Sequence, residues 1–306
     1  MSARTTTPRR RTAVLATAAL ATVVTGALVA CGNSAASAAA APARSSGPSA
    51  SAVAGPSLHM FSNNGHRLAF HVTPGHLPSI VLDAGGGEGA SQWQKIAPAL
   101  AEQTGSEIIT YDRAGIGKSD EVVGAWNAEN AASDLEAGLT KLGVTHDVVL
   151  VSHSQAGEVA TYFAKKHPKW VSGAVLVDAS LPNFYTDTET ARIVAANQAQ
   201  VAQLDGTLST KPVRQLLATA DNYGPMHHAY HRISWPQSVP ATVIASSKTP
   251  FGTPDDAQLW RDAQTQFAKA ATNRTYLVAK GSSHEIPTDR PDVVIKAVEA
   301  MAKALG

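Results

Sequence analysis

Cysteine is almost missing from this chain: 306 residues carry a single one, Cys31. No disulfide can therefore form within the chain. Charge of one sign is also scarce. Basic and acidic residues number 25 and 24, so nothing points to nucleic acid or to a strongly acidic substrate. There is no internal repeat. The glycine cluster Gly85-Gly86-Gly87 is not followed by the Lys-Ser/Thr of a phosphate-binding loop, and the dinucleotide fingerprint is missing as well.

What is present begins with an export signature. Arg4, Arg9, Arg10 and Arg11 precede an apolar stretch over 13–30 that ends in Leu28-Val29-Ala30-Cys31. A basic segment, an apolar segment and small residues before a boundary mark a removable signal over 1–30. The last four residues resemble a bacterial lipoprotein cleavage box, which makes Cys31 the expected lipidation site and the membrane, reached through a lipid anchor, an expected partner; the alternative is a secreted protein with an ordinary signal peptide cut near Ala40. Residues 31–56, mostly Ala, Ser, Pro and Gly, can bury almost nothing and read as a tether. The folded domain is expected over 57–306.

Within that domain, short apolar runs alternate with helical spacing. Strands are expected at 59–61 and 66–72 (a hairpin around Asn63-Asn64-Gly65), then at 79–82, 107–111, 147–151, 171–177, 240–245 and 274–279. Helices are expected over 91–103, 127–142, 155–167, 255–271 and 291–305. Alternation of this kind predicts an α/β fold with a mostly parallel sheet covered on both faces. Residues 181–237 break the rhythm, being far longer than a crossover needs. Helical spacing over 188–204 and 212–220 makes them a helical cap over the strand ends.

The most informative stretch is Val148-Val149-Leu150-Val151-Ser152-His153-Ser154-Gln155-Ala156. A strand that turns sharply into a helix forces its corner residue into strained backbone geometry. Small residues two positions to either side, here Ser152 and Ala156, allow it. Ser154 is then pushed clear of the fold with a helix N-terminus beside it. His153, inside the corner, is expected to direct its side chain away.

Together with Gly85-Gly86-Gly87, Tyr111-Asp112-Arg113-Ala114-Gly115-Ile116-Gly117 and Gly281-Ser282-Ser283-His284, this corner resembles the α/β-hydrolase family over about 58–305. The resemblance implies an eight-stranded sheet and a serine hydrolase acting on a small-molecule ester or related acyl bond, with no cofactor and no metal. Ser154 would be the nucleophile and His284 its base. For the acid, family members mostly use the turn after the seventh strand, but 246–252 holds no carboxylate. Asp178, ending the sixth strand, is the first choice, with Asp255 or Asp256 the alternative. The oxyanion donors would be the backbone N–H groups of Gln155 and Gly86. Arg113 would brace its loop. His227, His228 and His231 could set two imidazoles one helical turn apart, but no third metal ligand accompanies them.

Overall fold

The computed structural model describes residues 55–202 and 210–305. The expected signal, Cys31 and all but the last two residues of the tether lie outside those residues. The elements run β1 (Ser57–Asn63), β2 (His66–Thr73), β3 (His76–Asp83), α1 (Ile96–Thr104), β4 (Ser106–Asp112), α2 (Ala128–Leu142), β5 (Val148–His153), α3 (Ala156–Lys166) and β6 (Val171–Val177). Then come α4 (Asp187–Val201), α5 (Lys211–Asp221), α6 (Tyr223–Tyr230), β7 (Ala241–Ser246), α7 (Pro254–Lys269), β8 (Arg274–Ala279), α8 (Ile286–Asp289) and α9 (Pro291–Leu305).

Among the described residues one sheet of eight strands forms in the order β1-β2-β4-β3-β5-β6-β7-β8. β2 pairs antiparallel with β1 and β4, and every later pair is parallel. The central strands show why. Val148 and Leu150 of β5 join the apolar cluster under α2 and α3, while Val149 and Val151 join the one under α1 and α9. Ala174 and Leu176 of β6 are set against Val175 and Val177 in the same way. With successive side chains on opposite faces, a continuous apolar strand needs cover on both.

Helix ends follow local chemistry. The Asn127 side chain accepts from the N–H groups of Glu129 and Asn130 to start α2, and Gly143, at φ +78°, ends it. Thr253 caps α7 by accepting from Asp256 N–H, with Pro254 in the first turn.

Two helix expectations needed correcting. The single helix over 91–103 is instead a 3-10 turn, Ala90–Trp93, followed by α1. Pro98 has no N–H to offer the carbonyl four residues back, so a helix can hold it only in its first turn. The cap likewise has a helix, α6, beyond the two that spacing indicated. Pro225 forces the break between Asp221 and Tyr223 for the same reason. The three helices α4, α5 and α6 stand between β6 and β7, over the carboxyl ends of the parallel strands.

Candidate active site

The corner after β5 is built from both sides. Ser154 sits at φ +52°, a left-handed conformation costly for a residue with a Cβ. Its N–H donates to the Val177 carbonyl at 3.1 Å, and its carbonyl accepts from the N–H groups of Ser180 (2.8 Å) and Gly157 (2.9 Å). The small flanking residues Ser152 and Ala156 are buried. Gly157 is tighter still: a Cβ there would lie 2.6 Å from the Ser180 carbonyl oxygen. The end of β6 thus grips the corner from below.

Three side chains from three strand ends meet at this point. Ser154 Oγ lies 2.8 Å from His284 Nε2, and His284 Nδ1 lies 2.6 Å from Asp178 Oδ2. Asp178 is fully buried, so its carboxyl must be satisfied internally. Ser246 donates to it through both its N–H (3.1 Å) and its hydroxyl (2.7 Å), and Trp260 Nε1 donates at 3.0 Å. Burial pushes the Asp178 carboxyl up. The hydrogen bond and charge of His284, with the donors of Ser246 and Trp260, outweigh burial and hold it below the ordinary range. A carboxylate can only accept, so His284 Nδ1 carries the proton and Nε2 faces the serine hydroxyl as an acceptor.

Of the alternatives for the acid, Asp256 is engaged elsewhere. It forms an ion pair with Arg192 of α4 and its N–H is bonded to Thr253, whereas the ring nitrogens of His284 are bonded to Asp178 and Ser154. Asp255 stands beside it in the first turn of α7. The histidine, serine and carboxylate brought together are therefore His284, Ser154 and Asp178.

The glycine loop is tied to the same point. A Cβ on Gly85 would lie 2.8 Å from His153 Nδ1 and 3.6 Å from Ser154 Cβ, and one on Gly86 would meet the Gln155 side chain at 3.1 Å. Gly86, Gly87 and Gln155 line one cavity with Ser154 and His284. The N–H groups of Gly86 and Gln155 have no acceptor among the described residues. Arg113, buried, donates to Asp83 and to the carbonyls of Ala84 and Gly85, fixing the loop from behind as the bracing role requires.

His153 is buried and, rather than being directed away, lines the same cavity. Its Nε2 lies 3.0 Å from the His284 carbonyl oxygen and so carries the proton. Its Nδ1 then accepts from Gln92 Nε2 at 3.1 Å, while Gln92 Oε1 accepts from Gly85 N–H at 3.0 Å. Burial first, then the neighbouring His284, push the His153 imidazole down to about 3, so it stays neutral. One chain of hydrogen bonds thus joins the glycine loop, the serine corner and the His284 loop. Sequence reasoning missed Gln92, Ser246 and Trp260, since polar residues paired across distant loops leave no periodic signal.

The cavity measures about 360 Å³ and lies between the strand ends and the cap. Tyr185, Ile193, Asn197, Leu216, Thr219 and Tyr223 supply its cap side. Glu88 and Glu285 stand at its rim, and burial, with Glu88 adding to it, pushes the Glu285 carboxyl up even against the opposing pull of His284.

His153, His284 and Glu285 offer ligand atoms within 4.8 Å of one another. All four ring nitrogens are already committed, to Asp178, Ser154, Gln92 and the His284 carbonyl, which leaves no lone pair converging on an ion. The cap histidines do not converge either. His227 contacts Tyr223 O and Glu158, His228 contacts Asp187 and Arg232, and His231 contacts Pro182 O.

Residues 80–297 match the family model described as the alpha/beta hydrolase family. A Bacillus subtilis protein, YqjL, is 26% identical over 222 residues, which cover 72% of this chain and 81% of that one. Among solved structures, the epoxide hydrolase CorEH superposes with a TM-score of 0.58 at 19% identity, covering 82% of this chain and 100% of the other. A thermophilic esterase from Thermogutta terrifontis gives 0.54 at 20% identity, over 82% and 99%. At such identities the structural likeness concerns the fold.

Proposed function

Because the chain belongs to the alpha/beta hydrolase family, we propose that it is a serine hydrolase cleaving an ester or related acyl bond. One observation carries this reading: the group at the strained corner, 2.8 Å from an imidazole nitrogen free to accept, is a hydroxyl. In the proposed cycle Ser154 Oγ attacks the acyl carbon while its proton passes to His284 Nε2. Asp178 keeps the proton on Nδ1 and stabilises the imidazolium. The N–H groups of Gln155 and Gly86 receive the oxyanion, each worth about 3–4 kcal/mol of transition-state stabilisation. The leaving alcohol takes the proton from Nε2. Water, giving its own proton to Nε2, then attacks the acyl-enzyme, and the acid is freed as Ser154 Oγ takes that proton back from Nε2.

The hydroxyl also supports acyl transfer over epoxide opening. Attack by Ser154 on an epoxide carbon would leave an alkyl ether, with no carbonyl for water to attack. A carboxylate nucleophile would leave an ester that water can cleave. The carboxylates Glu88 and Glu285 at the rim further favour substrates without negative charge near the reacting bond.

The test is turnover of a short-chain p-nitrophenyl ester, together with covalent labelling by a fluorophosphonate. Labelling confined to Ser154, and lost with turnover in Ser154→Ala, is the expected result. An unreactive Ser154 would point instead to an idle fold used for binding. Lipidation at Cys31 belongs to the same proposal and rests on the Leu28-Val29-Ala30-Cys31 sequence. Incorporation of labelled palmitate into the expressed full chain, abolished by Cys31→Ser, tests it.

A further inference from the structure

Four residues past Ser154, in the first turn of α3, stands a carboxyl group that the proposed chemistry does not use. Glu158 is 2% exposed and lines the cavity. Its Oε1 accepts from Tyr185 Oη at 3.4 Å and lies 3.1 Å from His227 Nε2. His227 Nδ1 must carry a proton, because its partner is the Tyr223 carbonyl at 2.8 Å. A single further proton is therefore shared between Nε2 and Oε1, and the pair is neutral overall however that proton is placed. Glu158 Oε2 has no partner among the described residues.

Asn197 of α4, 3% exposed, lines the same cavity, and neither its Oδ1 nor its Nδ2 has a partner among the described residues. Each buried polar group left unsatisfied costs about 1–3 kcal/mol. Three such atoms on residues walling one cavity are an expensive arrangement unless a ligand completes them.

We infer that Glu158 and Asn197 form a recognition subsite for an alcohol hydroxyl of the substrate, remote from the bond that is cut. A hydroxyl donates one hydrogen bond and accepts others, so it can give its proton to Glu158 Oε2 and receive one from Asn197 Nδ2. An ammonium group would leave the Asn197 amide donor unmatched, and its charge would find the Glu158–His227 pair already neutral overall. A plain alkyl chain would leave all three atoms unpaired. This inference rests on the acyl-hydrolase reading for its readout and names the class of substrate: a hydroxylated ester in place of a simple lipid.

Two matched sets of substrates test it with the purified full chain. The first is p-nitrophenyl hexanoate with its ω-hydroxy and ω-amino derivatives, which place the group on the acyl side. The second is hexyl acetate with ω-hydroxyhexyl acetate, which places it on the alcohol side. In at least one set the hydroxylated member is expected to show kcat/KM about tenfold above its plain counterpart. Asn197→Leu, close to Asn in shape, should bring that ratio near one. It removes two unpartnered buried polar atoms, so its Tm should not fall. Glu158→Gln should lower the ratio as well. Equal turnover of plain and hydroxylated members in both sets, a preference for the amino derivative, or a ratio that survives Asn197→Leu each overturns the subsite.

A readout without turnover separates the two proposals. Hexanediol should raise Tm more than hexanol does, and Asn197→Leu should erase the difference. A labelled Ser154 with no such difference sinks the subsite alone. An unlabelled Ser154 with the difference intact sinks the hydrolase reading alone.

Discussion

The two walls of the cavity are built on opposite principles. On the sheet side, the Asp178 carboxylate is met by four hydrogen bonds from Ser246, Trp260 and His284, and Ser154 is held through its own backbone N–H and carbonyl. Where the cap meets α3, Glu158 keeps one oxygen without a partner among the described residues and Asn197 keeps its whole amide so. The fastenings differ too. The corner is fixed by buried backbone bonds, whereas ion pairs of half-exposed arginines link α4 to α7, Arg192 to Asp256, and α5 to the segment after β4, Arg214 to Glu121. A site that moves protons needs its reacting groups fixed before substrate arrives. Recognition can leave polar groups incomplete for the substrate to satisfy. One wall is finished; the other awaits its ligand.

The hardest blow to this contrast is a change on the finished wall. Asp178→Asn must turn an NH2 toward some of the donors around it. Facing Ser246 N–H and Trp260 Nε1–H, it would oppose two donors that cannot turn away. Facing Ser246 Oγ and His284, it meets a hydroxyl that can rotate and an imidazole that can change tautomer. The second choice is cheaper, and it moves the His284 proton to Nε2, where it can no longer accept from Ser154. A loss of roughly 10⁴-fold in kcat is expected, with circular dichroism unchanged. Asp256→Asn, by contrast, should cost no more than about threefold in kcat, because Asp256 is engaged with Arg192 and Thr253. The reverse order of losses, measured on one p-nitrophenyl ester, would return the acid role to the start of α7.

The comparison also separates what the sequence makes legible from what it hides. Strand β6 and helix α9 match the ranges expected from apolar spacing, because a doubly covered strand and an amphipathic helix write their burial into local periodicity. Ser154 and His284 were readable because each sits in a small-residue turn that only a special backbone needs. Asp178 was one of two choices, since nothing local tells a buried acceptor at φ +40° from a helix-capping carboxylate. Gln92 and Trp260 were invisible: their partners lie 61 and 82 residues away. Glu158 passed as an ordinary helix former. Its burial depends on Tyr185 and His227, supplied by a cap whose path over the sheet no periodicity encodes.

A smaller effect tests the rigidity of the finished wall through pH. The His153 imidazole has its folded value lowered from 6.5 to about 3. Between those two values the unfolded chain binds a proton that the native state refuses, so stability is full above pH 6.5 and falls as pH drops toward 3. The slope from this one residue approaches about 1.4 kcal/mol per pH unit. His153→Gln removes the proton uptake and can still bond Gln92 and the His284 carbonyl. Its unfolding free energy, followed by urea denaturation across that window, should vary less with pH than that of the native sequence. An identical slope would mean that His153 titrates in the folded state as it does unfolded.

The smallest expected effect lies in the tether of the unfinished wall. Arg192 is about half exposed, yet it sits between Glu189 and Asp256, both nearly buried. Burial, with Asp256 adding to it, pushes the Glu189 carboxyl up even with Arg192 in place. Arg192→Ala removes the cation and leaves two carboxylates facing each other between α4 and α7. Solvent screening of the exposed guanidinium limits the loss to about 1 kcal/mol at neutral pH. The sign with pH is opposite to that of His153. A carboxyl raised in the folded state costs stability as pH rises through its folded value, so the variant should be weakened more at neutral pH than in mild acid, where Glu189 takes up a proton. Because α4 also carries Asn197, the same variant should raise KM for hydroxylated esters more than it lowers kcat. Equal losses in both would mean that moving α4 disturbs the reacting groups, and that the two walls are one rigid unit after all.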